Sequence, residues 1–388
     1  MEKIKANRKL IQFCIIFLLC YIATGLSYCL FVAYLTSLGF SASARNAFFS
    51  LGAVFGMILQ FVVGFLCDKH HTIKRYAFIT LIMTAIFAAI LYALTEGSFW
   101  VYLSLAILFI GSFKVCYGVF DSWCMELSEE TKNNYGFARA FGSIGWAIGS
   151  YLSSWIVEKF GYAFNGYACI AFSILLILYC LHVDDAQKQA EQKVNLKDVS
   201  VLIKNKKYVY IVLAFFAICI MQVALDTTVV DKLIACNGTE KDVGLYWSLT
   251  AIVELPLFFI GNRLVDKFGN IANVLAVVIT YGIRFVLYGL ATNATQVLWI
   301  STLQFITFPL FQIVSKNMVD EESPDNLKST GQQLAMAVYS AFSALVVPIM
   351  AGLIEDAFDI NVAMYAISSS TIIALIFIGL YLREKRKN

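Results

Sequence analysis

Apolar stretches of roughly twenty residues recur along this chain, and that recurrence limits its fold more than any motif does. A helix needs about 20 such residues to cross the hydrocarbon core of a bilayer. Candidate spans run over 10-37, 45-66, 76-95, 99-125, 137-157 and 162-182, then 208-230, 243-265, 271-291, 294-315, 330-353 and 361-382. A chain that is 60% hydrophobic and 14% charged, with a mean hydropathy of +0.75, cannot present a water-soluble surface. The expected fold class is therefore an all-α membrane protein of twelve transmembrane helices. The first span is followed at once by a second, with no small-residue cleavage site, and is expected to be retained rather than removed as a signal peptide.

Basic residues orient the spans, because Lys and Arg beside them are retained on the cytoplasmic side. With both termini cytoplasmic, 22 of the 29 Lys and Arg fall on that side, four fall outside (Arg45, Lys159, Lys232, Lys241) and three within spans (Lys114, Arg139, Arg284). The net charge of +3 thus follows from topology and gives no reason to expect a nucleic-acid partner. Ten cysteines lie scattered through apolar spans without CxxC spacing, so neither a disulfide framework nor a metal site is indicated, and no cofactor is expected.

The longest connection, "HVDDAQKQAEQKVNLKDVSVLIKNKK" over 182-207, is polar and Lys-rich. It divides the chain into an N-terminal six-helix half (1-182), a cytoplasmic linker (183-207) and a C-terminal six-helix half (208-388). The halves read as a duplication. Asp68-Lys69 in the first half answers to Asp266-Lys267 in the second, and at nearly the same offset Gly136 aligns with Gly331 and Glu158 with Glu355. Two parallel six-helix repeats are an arrangement of transporters that rock about a midplane site.

Charges inside the spans point to where that site is. A central charge costs roughly 2.5 to 3.5 kcal/mol on insertion scales, so three uncompensated cations would cost on the order of 10 kcal/mol. In "GFARAFGSIGWAIGS" (136-150), Arg139, Ser143, Trp146 and Ser150 lie within about 60° of one another, while Ala138, Gly142, Gly145 and Gly149 form a stripe rotated by roughly 90°. The small stripe allows a neighbouring backbone to come close. The other is left to face a cavity, where an indole offers a platform to a sugar ring and a guanidinium donates to its hydroxyls. In "FKVCYGVFDSWCMEL" (113-127), Lys114 and Asp121 share a face; Asp121 is the expected partner of Arg139, and Glu126 falls near the cytoplasmic interface. The same pair also fits a purely structural role between two helices, and Lys114 fits a structural partnership as well as a substrate contact.

Two sets of residues resemble a known family. "GFLCDKHHTIKRY" (64-76) is similar to the loop signature of the major facilitator superfamily. The resemblance implies that Gly64, Asp68, Lys69, Lys74 and Arg75 form a gating loop that latches the halves in the outward-facing state; the positive-inside rule alone also explains Lys74 and Arg75. Asp121, Arg139 eighteen residues on and Trp146 seven beyond it resemble the lactose permease type of oligosaccharide:proton symporter. There the matching residues bind a galactosyl unit. Arg284, seventeen residues after Lys267, matches an Arg of proton release in that family. Gln304 and Thr307 stand where the family has its coupling His and Glu, and Ser301, Gln222, Cys219 and Ser340 replace members of two buried ion pairs.

The remaining span carboxylates are Asp226 and Glu254. Glu254, two residues before Pro256, is the better proton carrier, with Arg284 as its expected partner; a permanent Glu254–Arg284 pair is the structural alternative. The resemblance implies a monomer of the bacterial plasma membrane that imports a sugar or oligosaccharide with protons. A carrier of nucleosides or aromatic acids and an uncoupled uniporter remain open, "VELPLFF" (253-259) resembling a segment of phenylpropionate-type permeases. A membrane enzyme is disfavoured: the three histidines are His70, His71 and His182, and neither a phosphate loop nor HExxH occurs. A sensor would need an output domain beyond the short tails.

Overall fold

The computed structural model describes residues 2–186 and 196–387, so residues 187–195 of the linker lie outside the described residues. Every regular element among the described residues is helical. Apolar surroundings leave a backbone no other partner than itself, which is why each span closes its own hydrogen bonds. The long helices are α1 (Glu2–Tyr28), α2 (Ala42–His70), α3 (Lys74–Ala93), α4 (Phe99–Leu127), α5 (Tyr135–Phe160), α6 (Tyr162–Cys180), α7 (Lys206–Ala224), α8 (Glu240–Leu290), α9 (Gln304–Glu322), α10 (Phe342–Ala357) and α11 (Ile360–Lys385). Helix α8 holds two spans that meet at Gly269, where φ is 78°. With it the eleven helices supply the twelve spans expected.

Ten spans among the described residues are apolar enough throughout to cross a membrane on composition alone. The other two are α5 and the first arm of α8. These carry Arg139 and Glu254 together with serines and glycines, the composition of helices with a polar task.

The duplication is visible in the backbone. Gly39 and Asn237 both turn the chain with positive φ (82° and 60°), and so do His71 and Gly269 (50° and 78°). Each of these pairs has the same spacing along the chain as Asp68 and Asp266. Span one breaks after Tyr28 and resumes as Phe31–Ser37; span seven breaks after Ala224 and resumes as Thr228–Ala235. A third break separates Ala294–Ser301 from α9, and a π-helical turn, Ala337–Ala341, precedes α10. Interrupted helices release backbone carbonyls that need new partners. At the first break those partners are side chains: Asn165 Nδ2 donates to Leu26 O at 2.6 Å, Tyr92 OH to Ser27 O at 2.8 Å and Trp247 Nε1 to Cys29 O at 3.0 Å.

Two compact units result, one comprising Met1–Phe40, Phe48–Glu191 and Gly238–Ile252, the other Ser41–Ala47, Gln192–Asn237 and Val253–Asn388. Each unit borrows one short segment from the opposite sequence half. The borrowed segments begin at Ser41 and Gly238, positions that correspond under the repeat to within a residue, so the exchange follows the duplication.

Within the first unit α1 packs on α5 and α6, and α3 on α4 and α6. The α1–α5 contact is backbone to backbone. A Cβ on Gly145 would lie 3.1 Å from Leu18 Cα, and one on Gly149 would lie 2.6 Å from Ile22 O. The small-residue stripe of α5 thus serves close approach, as its spacing requires. At the cytoplasm-facing ends expected from sequence, Asp185 accepts from the backbone amides of Ile73 (3.1 Å) and Lys74 (2.9 Å), and Trp123 Nε1 donates to Asp184 O at 3.1 Å. In the second unit Tyr381 donates to Glu322 at 2.8 Å, and Asn205 Nδ2 donates to the Glu322 carbonyl at 2.8 Å.

These contacts predict that G145A and G149A each lower stability by about 1–3 kcal/mol through overpacking. Gly136, on the same helix, has nothing within 4 Å of an added Cβ, and G136A should be neutral or stabilising by about 0.5–1 kcal/mol. Thermal unfolding of the three purified variants checks the contrast.

Candidate functional site

Arg139 sits in the second turn of α5, and its Nε lies 3.8 Å from Asp121 Oδ1 on α4. The two side chains are 33% and 30% exposed. Since a charge facing lipid is expensive, the exposed part faces a hydrated space. The guanidinium also lies over Tyr21 of α1, its Cζ 4.1 Å from the ring centroid, a contact that itself favours a cation. Its path crosses the glycine stripe: a Cβ on Gly142 would fall 2.7 Å from Arg139 Nη1 and 3.1 Å from Tyr21 Cδ2. Gly142 therefore has a second task that periodicity alone does not reveal, since a flexible side chain leaves the face on which its Cα stands.

A run of rings connects this ion pair to Trp146. Tyr21 meets Tyr117 at 4.4 Å between centroids, Tyr117 meets Phe113 at 4.9 Å, and Phe113 lies parallel to Tyr28 at 4.4 Å and 7°. Trp146 lies 6.1 Å from Tyr28, 6.4 Å from Phe113 and 5.7 Å from Trp247. Tyr117 donates to Thr24 at 2.7 Å, and Tyr135 stands within hydrogen-bonding reach of Asp121. The arrangement is a polar, charged end on α4 and α5 continuing into an aromatic wall. It offers a ligand hydroxyl both donors and an acceptor at one end and ring faces along its length.

Sequence reading names Asp121, Arg139 and Trp146 but misses Tyr21, Tyr28, Phe113, Tyr117 and Trp247. Tyr21 and Tyr28 are seven apart, and Phe113, Tyr117 and Asp121 are successively four apart, so a helical-face count of aromatic residues would have found those four. Trp247 arrives with the borrowed segment Gly238–Ile252, and no local pattern carries that information. Lys114 is exposed and adjoins Gly56 of α2. Glu126 is exposed near the end of α4.

Arg284 has a different environment. It is fully buried, and donates to Gln304 Oε1 at 2.5 Å, Tyr288 OH at 2.9 Å, Thr307 Oγ1 at 3.4 Å and Ser301 O at 3.4 Å. The break before α9 makes the last of these possible. Phe305 N turns to Thr302 O at 3.1 Å, releasing the Ser301 carbonyl. The neutral residues at positions 301, 304 and 307 are thus acceptors for one guanidinium. Glu254 is 9% exposed, and both it and Arg284 act electrostatically on the buried Tyr281 hydroxyl. Asp226 is half-buried in the turn that interrupts span seven, its amide donating to Val223 O at 3.1 Å.

In the loop region, Gly64 and Asp68 are half-buried and Lys69 and Arg75 exposed. Lys74 Nζ donates to Val183 O at 2.8 Å and to Leu181 O at 3.3 Å, which ties α3 to the chain leaving α6. Among the described residues no group of three or more His, Cys, Asp or Glu is disposed to hold a metal.

Comparison with known proteins agrees with this architecture. The family model described as MFS_1 like family matches residues 15–366. The chain is 24% identical over 377 residues to the uncharacterised transporter YwbF of Bacillus subtilis (strain 168), covering 96% of this chain and 93% of that one. It is 21% identical over 382 residues to the maltose permease of Geobacillus stearothermophilus, covering 98% and 96%. Among solved structures, the nucleoside transporter NupG superposes with a TM-score of 0.82 at 13% identity over 96% of this chain and 98% of that one. A bacterial homologue of the human lysosomal transporter Spinster superposes at 0.75 with 12% identity over 97% of each. With twelve spans, a sequence repeat carried into the positions of the backbone turns and a family match across most of its length, the chain belongs to the MFS_1 like family of major facilitator membrane transporters.

Proposed function

We propose that this transporter imports a sugar or oligosaccharide across a bacterial plasma membrane by alternating access, as a monomer with both termini cytoplasmic. The observation that carries the reading is the Asp121–Arg139 pair at the end of the ring wall formed by Tyr21, Tyr117, Phe113, Tyr28 and Trp146. Pyranoses present just this combination: hydroxyls for the charged pair and a C–H face for an indole. The related maltose permease supports the sugar class. A nucleoside is the second reading, supported by the indole of Trp146, whose face can stack on a base, and by the fold shared with NupG. Lys114 contributes charge near the site, and the loop carrying Gly64, Asp68, Lys69, Lys74 and Arg75 acts as the gate.

Transport is coupled to protons through Glu254, with Arg284 and Asp226. Burial favours the neutral form of a carboxyl, and a guanidinium brought close favours the carboxylate. A movement that changes the distance between Glu254 and Arg284 takes up or releases a proton.

Affinity measurements on purified protein test the binding assignment. Replacing a charged hydrogen-bonding fork by a point charge forfeits about 1.5–3 kcal/mol, so R139K should bind roughly 10- to 100-fold more weakly. W146A, losing about 0.5–1.5 kcal/mol of ring contact, should bind roughly 2- to 10-fold more weakly with unchanged folding. A panel of maltose, lactose, uridine and phenylpropionate in thermal-shift assays separates the two substrate classes. An R139K variant with wild-type affinity would remove the site.

Proton coupling has its own readout. In proteoliposomes E254Q, which mimics a permanently protonated carboxyl, should exchange substrate at near wild-type rate while losing uphill accumulation under an inward proton gradient. Retained accumulation would return Glu254 to a structural role.

A further inference from the structure

The duplicated scaffold docks its two borrowed segments with different chemistry. In the first unit, Gly238–Ile252 is held by neutral donors: Trp247 Nε1 to Cys29 O at 3.0 Å, Ser248 Oγ to Ala147 O at 2.8 Å, and the Tyr162 hydroxyl to Glu240 at 3.2 Å. In the second unit, Ser41–Ala47 is held by charge. Arg45 Nη2 lies 2.5 Å from Asp231 Oδ1 and 3.9 Å from Glu355 Oε1. Arg45 is 8% exposed, Asp231 2% and Glu355 16%, although sequence topology counts Arg45 as a loop cation. Gly352 permits the approach, since a Cβ there would lie 2.8 Å from Ala42 O and from Ser43 Cα.

Every charged group facing this cluster has its own assignment. Asp356 accepts from the amides of Ala42 (3.1 Å) and Ser43 (2.9 Å). Lys232, on the same short helix as Asp231, donates to Asn361 at 2.5 Å, and Asp359 caps α11 by accepting from Asn361 N at 2.6 Å. One guanidinium is therefore set against the two carboxyls of Asp231 and Glu355. Asp231 Oδ2 and Glu355 Oε2 are buried and accept no hydrogen bond. A second full negative charge held in that position costs several kcal/mol; a proton removes it.

We propose that the Arg45–Asp231–Glu355 cluster is a proton-binding site, in which the two carboxyls together hold one proton while Ser41–Ala47 is docked. The proton resides on Glu355, because Asp231 holds the shorter contact to the guanidinium. Uptake forms an O–H bond on the carboxylate with a proton from water, and undocking returns that proton to water. The two carboxyls titrate as a pair, so acid favours the docked arrangement and alkali weakens it. Two carboxyls supply at most about four oxygens, fewer than the roughly six to eight that Ca2+ takes, and the adjacent guanidinium repels a cation. The site is separate from Glu254 and does not depend on which solute is carried.

Infrared spectroscopy of the purified full-length protein in lipid nanodiscs reads the proton directly, with no substrate present. At neutral pH the wild type should show a carboxylic C=O stretch of which one component is lost in E355Q and lost again in D231N, where Glu355 becomes the ionised partner of Arg45. E254Q should keep that component. E355Q should melt no lower than wild type at neutral pH and should lose the wild type's decline towards alkaline pH, because Gln reproduces the neutral carboxyl. The proposal is overturned by wild-type protein without such a component, or by a component that persists in both E355Q and D231N. A component lost only in E254Q overturns it and leaves the coupling assignment standing. Stabilisation by Na+ at fixed pH that disappears in E355Q would make the ligand a metal cation instead.

Discussion

The contact between the backbones of α1 and α5 governs the candidate site. Gly145 and Gly149 face Leu18 and Ile22 so closely that no side chain fits between them, and that contact fixes both the rotation and the depth of α5. Once it is set, Trp146 has little choice of direction and meets Tyr28 and Phe113, while Arg139 comes to lie on Tyr21. In a bilayer, helices gain little from burying apolar surface against one another, so packing of small residues takes the place of the hydrophobic effect. A candidate site built on such a contact has one wall whose position is set by backbone packing.

Three guanidiniums are withdrawn from bulk water in three ways. Arg139 keeps about a third of its side chain exposed and meets one carboxylate and one ring face. Arg284 is enclosed, and much of its solvation comes from a carbonyl, an amide and hydroxyls. Arg45 is set against two carboxyls. Full exclusion from water without compensating dipoles would cost more than a helix can supply. The broken helix before α9 is therefore as necessary to Arg284 as any side chain, because it supplies the Ser301 carbonyl. Arg284 is held by acceptors on neighbouring turns, at Gln304, Thr307, Tyr288 and the Ser301 carbonyl.

Much of the fold is legible in the sequence because hydropathy reports the solvent, and the solvent leaves one backbone solution per span. The repeat is legible too, through Asp68 and Asp266 and through Gly136 and Gly331. Other features leave no local mark. Span one breaks at Cys29-Leu30 and span seven between Leu225 and Thr227, and none of these residues is glycine or proline. The first of these breaks is stabilised by side chains distant in sequence, Asn165, Tyr92 and Trp247, so only the tertiary structure reveals it. His71 adopts the positive φ that Gly269 adopts in the other half, a position at which a residue scan finds a turn in one repeat and nothing unusual in its counterpart. Arg45 reads as a loop cation because Asp231 and Glu355, the carboxyls that bury it, stand in the opposite half of the chain, beyond the reach of a local count.

The symmetry of the backbone and the asymmetry of the chemistry together limit how such a molecule can work. Duplication supplies two equivalent bundles with equivalent breaks and equivalent borrowed segments at matching positions, so any rearrangement open to one half has a structural counterpart in the other. Side chains then differ between the counterparts. The first unit carries the charged and aromatic wall around Arg139 and docks its borrowed segment through an indole and two hydroxyls. The second carries Arg284 with its carbonyl, amide and hydroxyl acceptors, the carboxyl of Glu254, and a borrowed segment docked through ionisable groups. On the proposed reading, the candidate ligand site and the candidate proton sites thus fall in different halves of a common scaffold. The glycine-mediated contact of α1 with α5 holds the first of these, while Gly352 and the Arg45 cluster hold the borrowed segment of the second, so the packing beneath one does not pass through the residues of the other.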